Sequence, residues 1–370
     1  MCEGTRDVPS FDNPPLPPAS VLSHVRDVHC HPTDSWPAVV GELHITICAM
    51  STRPEDQPLV RELALSRPDK VLPCFGYHPW FTHWFTLKDT PPSKEEHYSA
   101  LFLGSATPSA DHPHMTAFSE LLPHLPNPTP LKEILATLRG NLAAFPSAML
   151  GEVGIDRSFR VARSYTEDPR VLSPFTVPIA HQLAVLNAQL EVAVELRRNI
   201  SMHSVKAQQL TVDLLASSRK RWGAQWDALS VDLHSCGLSP QTWVQLEKAH
   251  PNVFLSLSTA INARSPNHIA LIRACDPRRL LVESDYHTLS MCTPNTWEMI
   301  CTVARERGWT IEETWDYSAD GGDIAQWGTV KRLEDNWKRF EQGGHASPDG
   351  GRKKRKERER TNIFTEVEEK

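Results

Sequence analysis

A repeat constrains this chain more than any other feature. Eight short apolar or β-branched runs, each bounded by turn residues, alternate with segments of helical period. They are Val25 to Cys30, His44 to Met50, Lys70 to Phe75, Ala148 to Val153, Asn199 to His203, Leu229 to His234, Asn252 to Ser258 and Arg279 to Asp285. The last three begin about 25 residues apart, the length of one strand plus the crossover helix that parallel strands require. Eight such units predict a closed (β/α)8 barrel, the TIM-barrel architecture, with active loops at the C-terminal ends of the strands.

The helical partners are legible too. Ile179, Leu183, Leu186, Leu190 and Val194 form a stripe after Pro178, with Arg197 and Arg198 closing the last turn. Ser239 and Pro240 supply a cap and a first-turn proline for a helix ending before Pro251. Pro266 and Pro294 are read as opening two more. Two stretches interrupt the rhythm, Thr86 to Pro130 and Arg157 to Thr176. They follow strands three and four and are expected as extended loops on the active face, the first either shaping a cleft or disordered. The domain reading is a Pro-rich segment over 1–20, a barrel over 21–342 with the 86–130 insertion, and a disordered, charged tail over 343–370. The tail carries RKKRKERER, read either as a nuclear-import or nucleic-acid contact or as a solvated segment.

Composition excludes several classes. With 40% hydrophobic and 23% charged residues the chain can bury a large core, yet it has no apolar run near the roughly 20 residues of a membrane span. The start lacks the order of a secretory signal. Eight cysteines stand singly, with no C-x-x-C pair, and are read as reduced thiols. A cytoplasmic or nuclear protein without a membrane partner is expected. At a net charge of −6, any hold on nucleic acid must come from a local patch or from metal ions.

Strand one ends in Asp27-Val28-His29-Cys30-His31. A side-chain period of two turns His29 and His31 to one face and Cys30 to the helices, which makes half a metal site. Alone the pair is weak, because 17 histidines make chance repeats common and His112-Pro113-His114 is a rival in a Pro-rich loop. Its context separates it from that rival. Glu152, His203, His234 and Asp285 also lie at strand ends, and closure of a barrel returns Asp285 beside His29. Four histidines and two carboxylates exceed one zinc ion's needs and suit two ions. Glu152, on a middle strand with two oxygens to share, is the expected bridge; His29, His31 and Asp285 complete one ion, His203 and His234 the other. The reaction class is hydrolysis.

The series D-x-H-x-H, G-x-H-P, G-E-x-G-x-D, a strand-end His, His-Ser-x-Gly and E-[ST]-D resembles TatD-like metal-dependent hydrolases, a branch of the amidohydrolase-type barrels. It runs from Asp27 to about Phe340, where Asp335 to Phe340 looks like the closing helix of that family. The resemblance implies deoxyribonuclease activity, commonly exonucleolytic from the 3′ end, on single strands or 3′ ends of DNA. It implies the same six ligands, two divalent ions (Mg²⁺, Mn²⁺ or Zn²⁺), and Asp285 as acceptor of the proton from the attacking water. The insertions and the Pro-rich start resemble fungal members, some named for partnership with a cell-cycle protein. The chain departs from the pattern where Arg157 and Ser158 follow Asp156 and where Tyr286 and His287 follow Asp285, which touches substrate preference rather than the ligands.

Around the ligands, Asp27 is expected to hydrogen-bond a ligand histidine. His78 either orients a phosphate or satisfies a turn. Asp156 and Arg157 either grip the scissile phosphate or form a loop ion pair, and Glu283 is a further supporting or substrate residue. Trp80 and Trp84 are read as packing residues before base-stacking ones. Two rivals to the nuclease stay open: hydrolysis of amides, lactones or phosphotriesters, and a binding protein that keeps the barrel and meets a protein partner through its loops or tail.

Overall fold

A computed structural model describes residues 15–35, 43–104, 109, 113–164, 169–265, 267–317 and 322–345. All eight expected strands form, as β1 Arg26–Cys30, β2 Thr46–Met50, β3 Val71–Phe75, β4 Met149–Asp156, β5 Ile200–Val205, β6 Val231–Leu233, β7 Val253–Leu257 and β8 Leu280–Val282. They pair in parallel, in chain order. The seam between β8 and β1 is tied where the strands end. There the Asp285 N–H donates to the His29 carbonyl at 2.9 Å and the His31 N–H to the Tyr286 carbonyl at 2.8 Å.

The helices are α1 Gln57–Ser66, α2 Lys94–Phe102, α3 Met115–Leu121, α4 Leu131–Ala144, α5 Ile179–Leu196, α6 Gln208–Trp222, α7 Pro240–Ala249, α8 Asn267–Ala274, α9 Leu289–Arg307 and α10 Thr329–Gln342, with shorter turns between them. The expected stripe on α5 buries Leu186, Leu190 and Val194 against the barrel. Arg197 lies just past that helix in a left-handed C-cap, φ 54°, and Arg198 reaches the Leu142 carbonyl instead of the helix end. Ser239 caps α7 by accepting the Thr242 N–H. Pro294 does not open a helix. It sits inside α9 as the sixth residue counted from the start at Leu289, where its missing N–H forgoes one helical bond, the one to the Ser290 carbonyl. Pro266 lies outside the described residues, immediately before α8.

Inside the barrel, Val28, Cys48, Met50, Cys74, Met149, Phe254 and Leu281 form one cluster with Trp337 and Phe340 of α10. Those two aromatic side chains plug the bottom. Asn336 supports the plug by donating to the Pro277 and Leu280 carbonyls at 2.7 and 2.8 Å. The two interruptions of the repeat fold together. Helices α2 and α3 place Tyr98, Phe118 and Leu121 against Val161, Phe175 and Val177 from the stretch after β4. A Ser93–Glu96 capping box starts α2. The described part of 86–130 is therefore ordered, because its aromatic residues share a core with the neighbouring insertion. The proposed tail lies outside the described residues beyond His345, as do residues 1–14 of the Pro-rich segment. None of the described helices is long and apolar enough to cross a membrane.

Candidate metal centre

Two irregularities in the strands build the site. Between Asp27 and Cys30 the pairing with β2 slips by one residue, a bulge that lets both Val28 and His29 face inward. Between Leu150 and Val153 of β4 the pairing with β5 slips likewise and presents Glu152. Gly154 permits the close approach that follows. It adopts φ 158°, and a Cβ there would lie 2.0 Å from the His203 carbonyl oxygen.

The six expected ligands converge around Glu152. Its Oε2 lies 3.6 Å from His29 Nε2 and 3.3 Å from His31 Nε2. Asp285 Oδ1 lies 3.9 and 3.5 Å from the same two nitrogens, which are 3.2 Å apart. Glu152 Oε1 lies 2.8 Å from His203 Nδ1 and 2.7 Å from His234 Nε2, and those nitrogens are 3.3 Å apart. Donors at about 2.0–2.2 Å from a tetrahedral ion stand about 3.3–3.6 Å from one another, which the first set approximates and the second set undercuts slightly. The donor chemistry, imidazole and carboxylate, fits a divalent ion in both places.

Charge points the same way. Burial alone would push the Glu152 carboxyl up, but the charges of His78 and His234 and the His203 and His234 hydrogen bonds hold it well below the ordinary range. Burial lowers the His31 and His234 imidazoles, yet the hydrogen bonds that His31 donates to Asp285 and Glu152, and the charge of Glu152 beside His234, raise both well above the usual value. The ionised carboxylates thus keep protons on these imidazoles, and metal binding there would release those protons.

His78 satisfies a turn, one of the expected roles. Its Nδ1 accepts the Trp80 N–H at 3.2 Å, and its Nε2 stands 3.2 Å from Glu152 Oε1. With Glu152 and His203 it forms one of the groups able to hold an ion. Burial and its neighbours lower its pKa to about 4, leaving it neutral and ready to donate or accept.

The supporting residues meet expectation in part. Asp27 does hydrogen-bond the ligand His29, but at its backbone N–H and not at its ring. Its carboxylate accepts the Ser284 N–H at 2.9 Å, the Ser284 hydroxyl at 2.6 Å and the His29 backbone N–H at 3.3 Å, because the β1 bulge turns it toward the seam with β8. Burial raises its pKa to about 7. Ser201 holds the His29 ring instead, 2.7 Å from Nδ1. Asp156 is no partner of Arg157. It accepts the Trp80 indole N–H at 2.7 Å and stands 3.5 Å from His203 Nε2, while Arg157 is exposed. Glu283, fully buried, accepts the Ser235 N–H and hydroxyl at 2.7 and 2.6 Å and lies 3.8 Å from His234 Nδ1. Ser235 Oγ also stands 3.0 Å from Asp285 Oδ2, so Glu283 and Asp285 share its one hydroxyl proton. Ser201 and Ser235 carried a faint sequence signal: one lies two residues before His203, the other follows His234 in the quoted His-Ser-x-Gly. The rival His114 is exposed on the insertion, and His112 lies outside the described residues.

A parallel barrel with four histidines and two carboxylates gathered at its C-terminal mouth has the layout of a metal-dependent hydrolase. Residues 26–321 match the family model for TatD related DNase, and the chain belongs to that family. It is 31% identical to the Cut9-interacting protein scn1 of Schizosaccharomyces pombe, over 79% of this chain and 96% of that protein. Among solved structures it resembles a hydrolase TatD family protein from Entamoeba histolytica, with a TM-score of 0.54 at 11% identity, covering 85% of this chain and 97% of that one. It also resembles an uncharacterized amidohydrolase from Saccharomyces cerevisiae, with a TM-score of 0.50 at 14% identity, covering 80% and 89%. At such identities these two likenesses speak for the fold.

Proposed function

We propose that this chain is a metal-dependent deoxyribonuclease that hydrolyses phosphodiester bonds in single-stranded DNA or at 3′ ends. One observation carries the reading: Glu152 divides its two oxygens between two sets of imidazoles. His29, His31 and Asp285 would hold one divalent ion and His203 with His234 the other, with Mg²⁺, Mn²⁺ and Zn²⁺ all compatible with the donors. Two divalent ions held there would lower the pKa of a bound water and neutralise charge on the attacking and leaving oxygens of a phosphodiester.

The residues of the chain do the rest. Asp285 accepts the proton of the attacking water. Ser235 keeps its Oδ2 oriented for this at 3.0 Å. Glu152 fixes the spacing of the two halves, and Ser201 and Asp156 set the ring orientations of His29 and His203. On this reading His78, whose Nε2 stands 3.2 Å from Glu152 Oε1, would turn that nitrogen to a phosphate oxygen of the substrate.

The test is purified protein with each of the three ions on a labelled single strand. Shortening is expected, with about two metal equivalents by elemental analysis. Glu152→Ala should lower the rate by at least about 100-fold with an unchanged circular dichroism spectrum; cleavage that persists in that variant removes the mechanism. A second reading takes its support from the fission-yeast relative, which is named for an interaction with Cut9. On that reading the barrel serves a protein partner, and metal-ligand variants would still complement loss of the gene.

A further inference from the structure

Beside the metal centre stands an aromatic pair that the proposed chemistry does not use. Asp156 folds the chain back on itself: its Oδ1 accepts the N–H groups of Ser158 and Phe159 at 2.6 and 3.0 Å. That turn lays Phe159 on Trp80, ring centroids 4.6 Å apart and planes 13° from parallel. The other oxygen of Asp156 receives the Trp80 indole N–H at 2.7 Å. One buried carboxylate thus sets both rings and at the same time faces His203. Trp80 also meets His78 edge-on at 4.9 Å, so the pair is one ring away from the ligand cluster. Both residues are half-buried.

Cations flank them. Arg157 is exposed at the corner of the turn, and its backbone N–H donates to the Val205 carbonyl at 3.1 Å. That bond brings it beside Lys206, exposed at the end of β5 with φ 50°. Arg160, also exposed, follows on the same turn. A protein of net charge −6 therefore gathers positive side chains next to a stacked aromatic pair at the mouth of its site. Flat faces beside guanidinium and ammonium groups match a flexible polyanion with unstacked bases, since base-on-ring stacking and phosphate contacts are how single strands are held. A duplex hides the faces of its bases and lacks that complementarity.

We propose that the Trp80–Phe159 pair seats a base of single-stranded DNA while Arg157 and Lys206 hold the adjoining phosphates. This seat makes the site prefer single strands. The inference rests on the nuclease reading for its substrate, and a binding measurement separates the two. Full-length protein is titrated in EDTA against a fluorescein-labelled oligothymidylate, read by anisotropy. Phe159→Ala should raise Kd about 10-fold, Phe159→Tyr should restore it, and Arg157→Gln should weaken binding and flatten its salt dependence. A Phe159→Ala protein that binds as tightly as the wild type overturns the seat, and so does wild-type protein that binds a duplex as tightly as the single strand. With metal added, binding that depends on Phe159 without any cleavage would sink the nuclease reading and leave the seat standing. Cleavage with binding indifferent to Phe159 would do the reverse.

Discussion

At the residue scale the site depends on side chains that reach no ligand position. Glu283 is the chief of them, fully buried and accepting from Ser235 and Ser256 while facing His234. Carboxylates behind metal-binding histidines fix ring orientation and raise basicity. Glu283→Gln keeps the shape and removes the charge. It should weaken metal affinity about 10- to 100-fold, read by competition with a calibrated chelator. Affinity unchanged by this substitution would make the Ser235–Glu283–Ser256 network a matter of packing alone.

At the scale of elements, α10 carries more than its plug. Glu312 caps it by accepting the Val330 and Lys331 N–H groups at 3.0 and 2.8 Å. Glu334, on its inner face, binds His24 at 2.7 Å, Lys331 at 3.1 Å and Lys338 at 3.0 Å. Burial pushes that carboxyl up, but the three hydrogen bonds outweigh it and bring its pKa from 4.5 to about 2. A depressed carboxyl contributes stability that is fully present above 4.5 and is lost as pH falls toward 2. Glu334→Gln should therefore cost about 2 kcal/mol near pH 7 and less than half of that at pH 3, by chemical denaturation at both values. A cost that does not change with pH would assign the effect to shape rather than charge.

At the scale of the molecule, the chain leaves the barrel at the end opposite the metal face. Gly344 and His345 donate their N–H groups to the Ala228 and Asp227 carbonyls at 2.9 and 3.1 Å, and His345 Nε2 lies 2.8 Å from Ser230 Oγ. Ser230 precedes β6, whereas His234 follows it. Gly343 allows this exit, since a Cβ there would stand 2.4 Å from the Ala228 oxygen. Removing residues 346–370 should leave hydrolysis and thermal midpoint unchanged. Cutting three residues earlier should keep the chemistry but lower the midpoint by about 2–4 °C, for the loss of roughly 1 kcal/mol of contacts at the base. Lost turnover with the longer truncated chain would show that the tail takes part in catalysis.

The sequence by itself determined the eight strands, their order and the mouth to which His29, His31, Glu152, His203, His234 and Asp285 belong. Periodicity and spacing are local, and a parallel barrel sends every strand end to one face. The helices were legible where stripe and cap agreed, as on α5 and α7. Only the tertiary structure decided the bulges that aim His29 and Glu152, the turning of Asp27 to the seam, the union of the two insertions and the place of Phe159. A one-residue slip in register leaves the residue pattern intact, and partners such as Ser284 for Asp27 lie hundreds of positions away. Such choices are made by what neighbouring strands can pack and hydrogen-bond once they meet, and no window of sequence contains both sides of that contact.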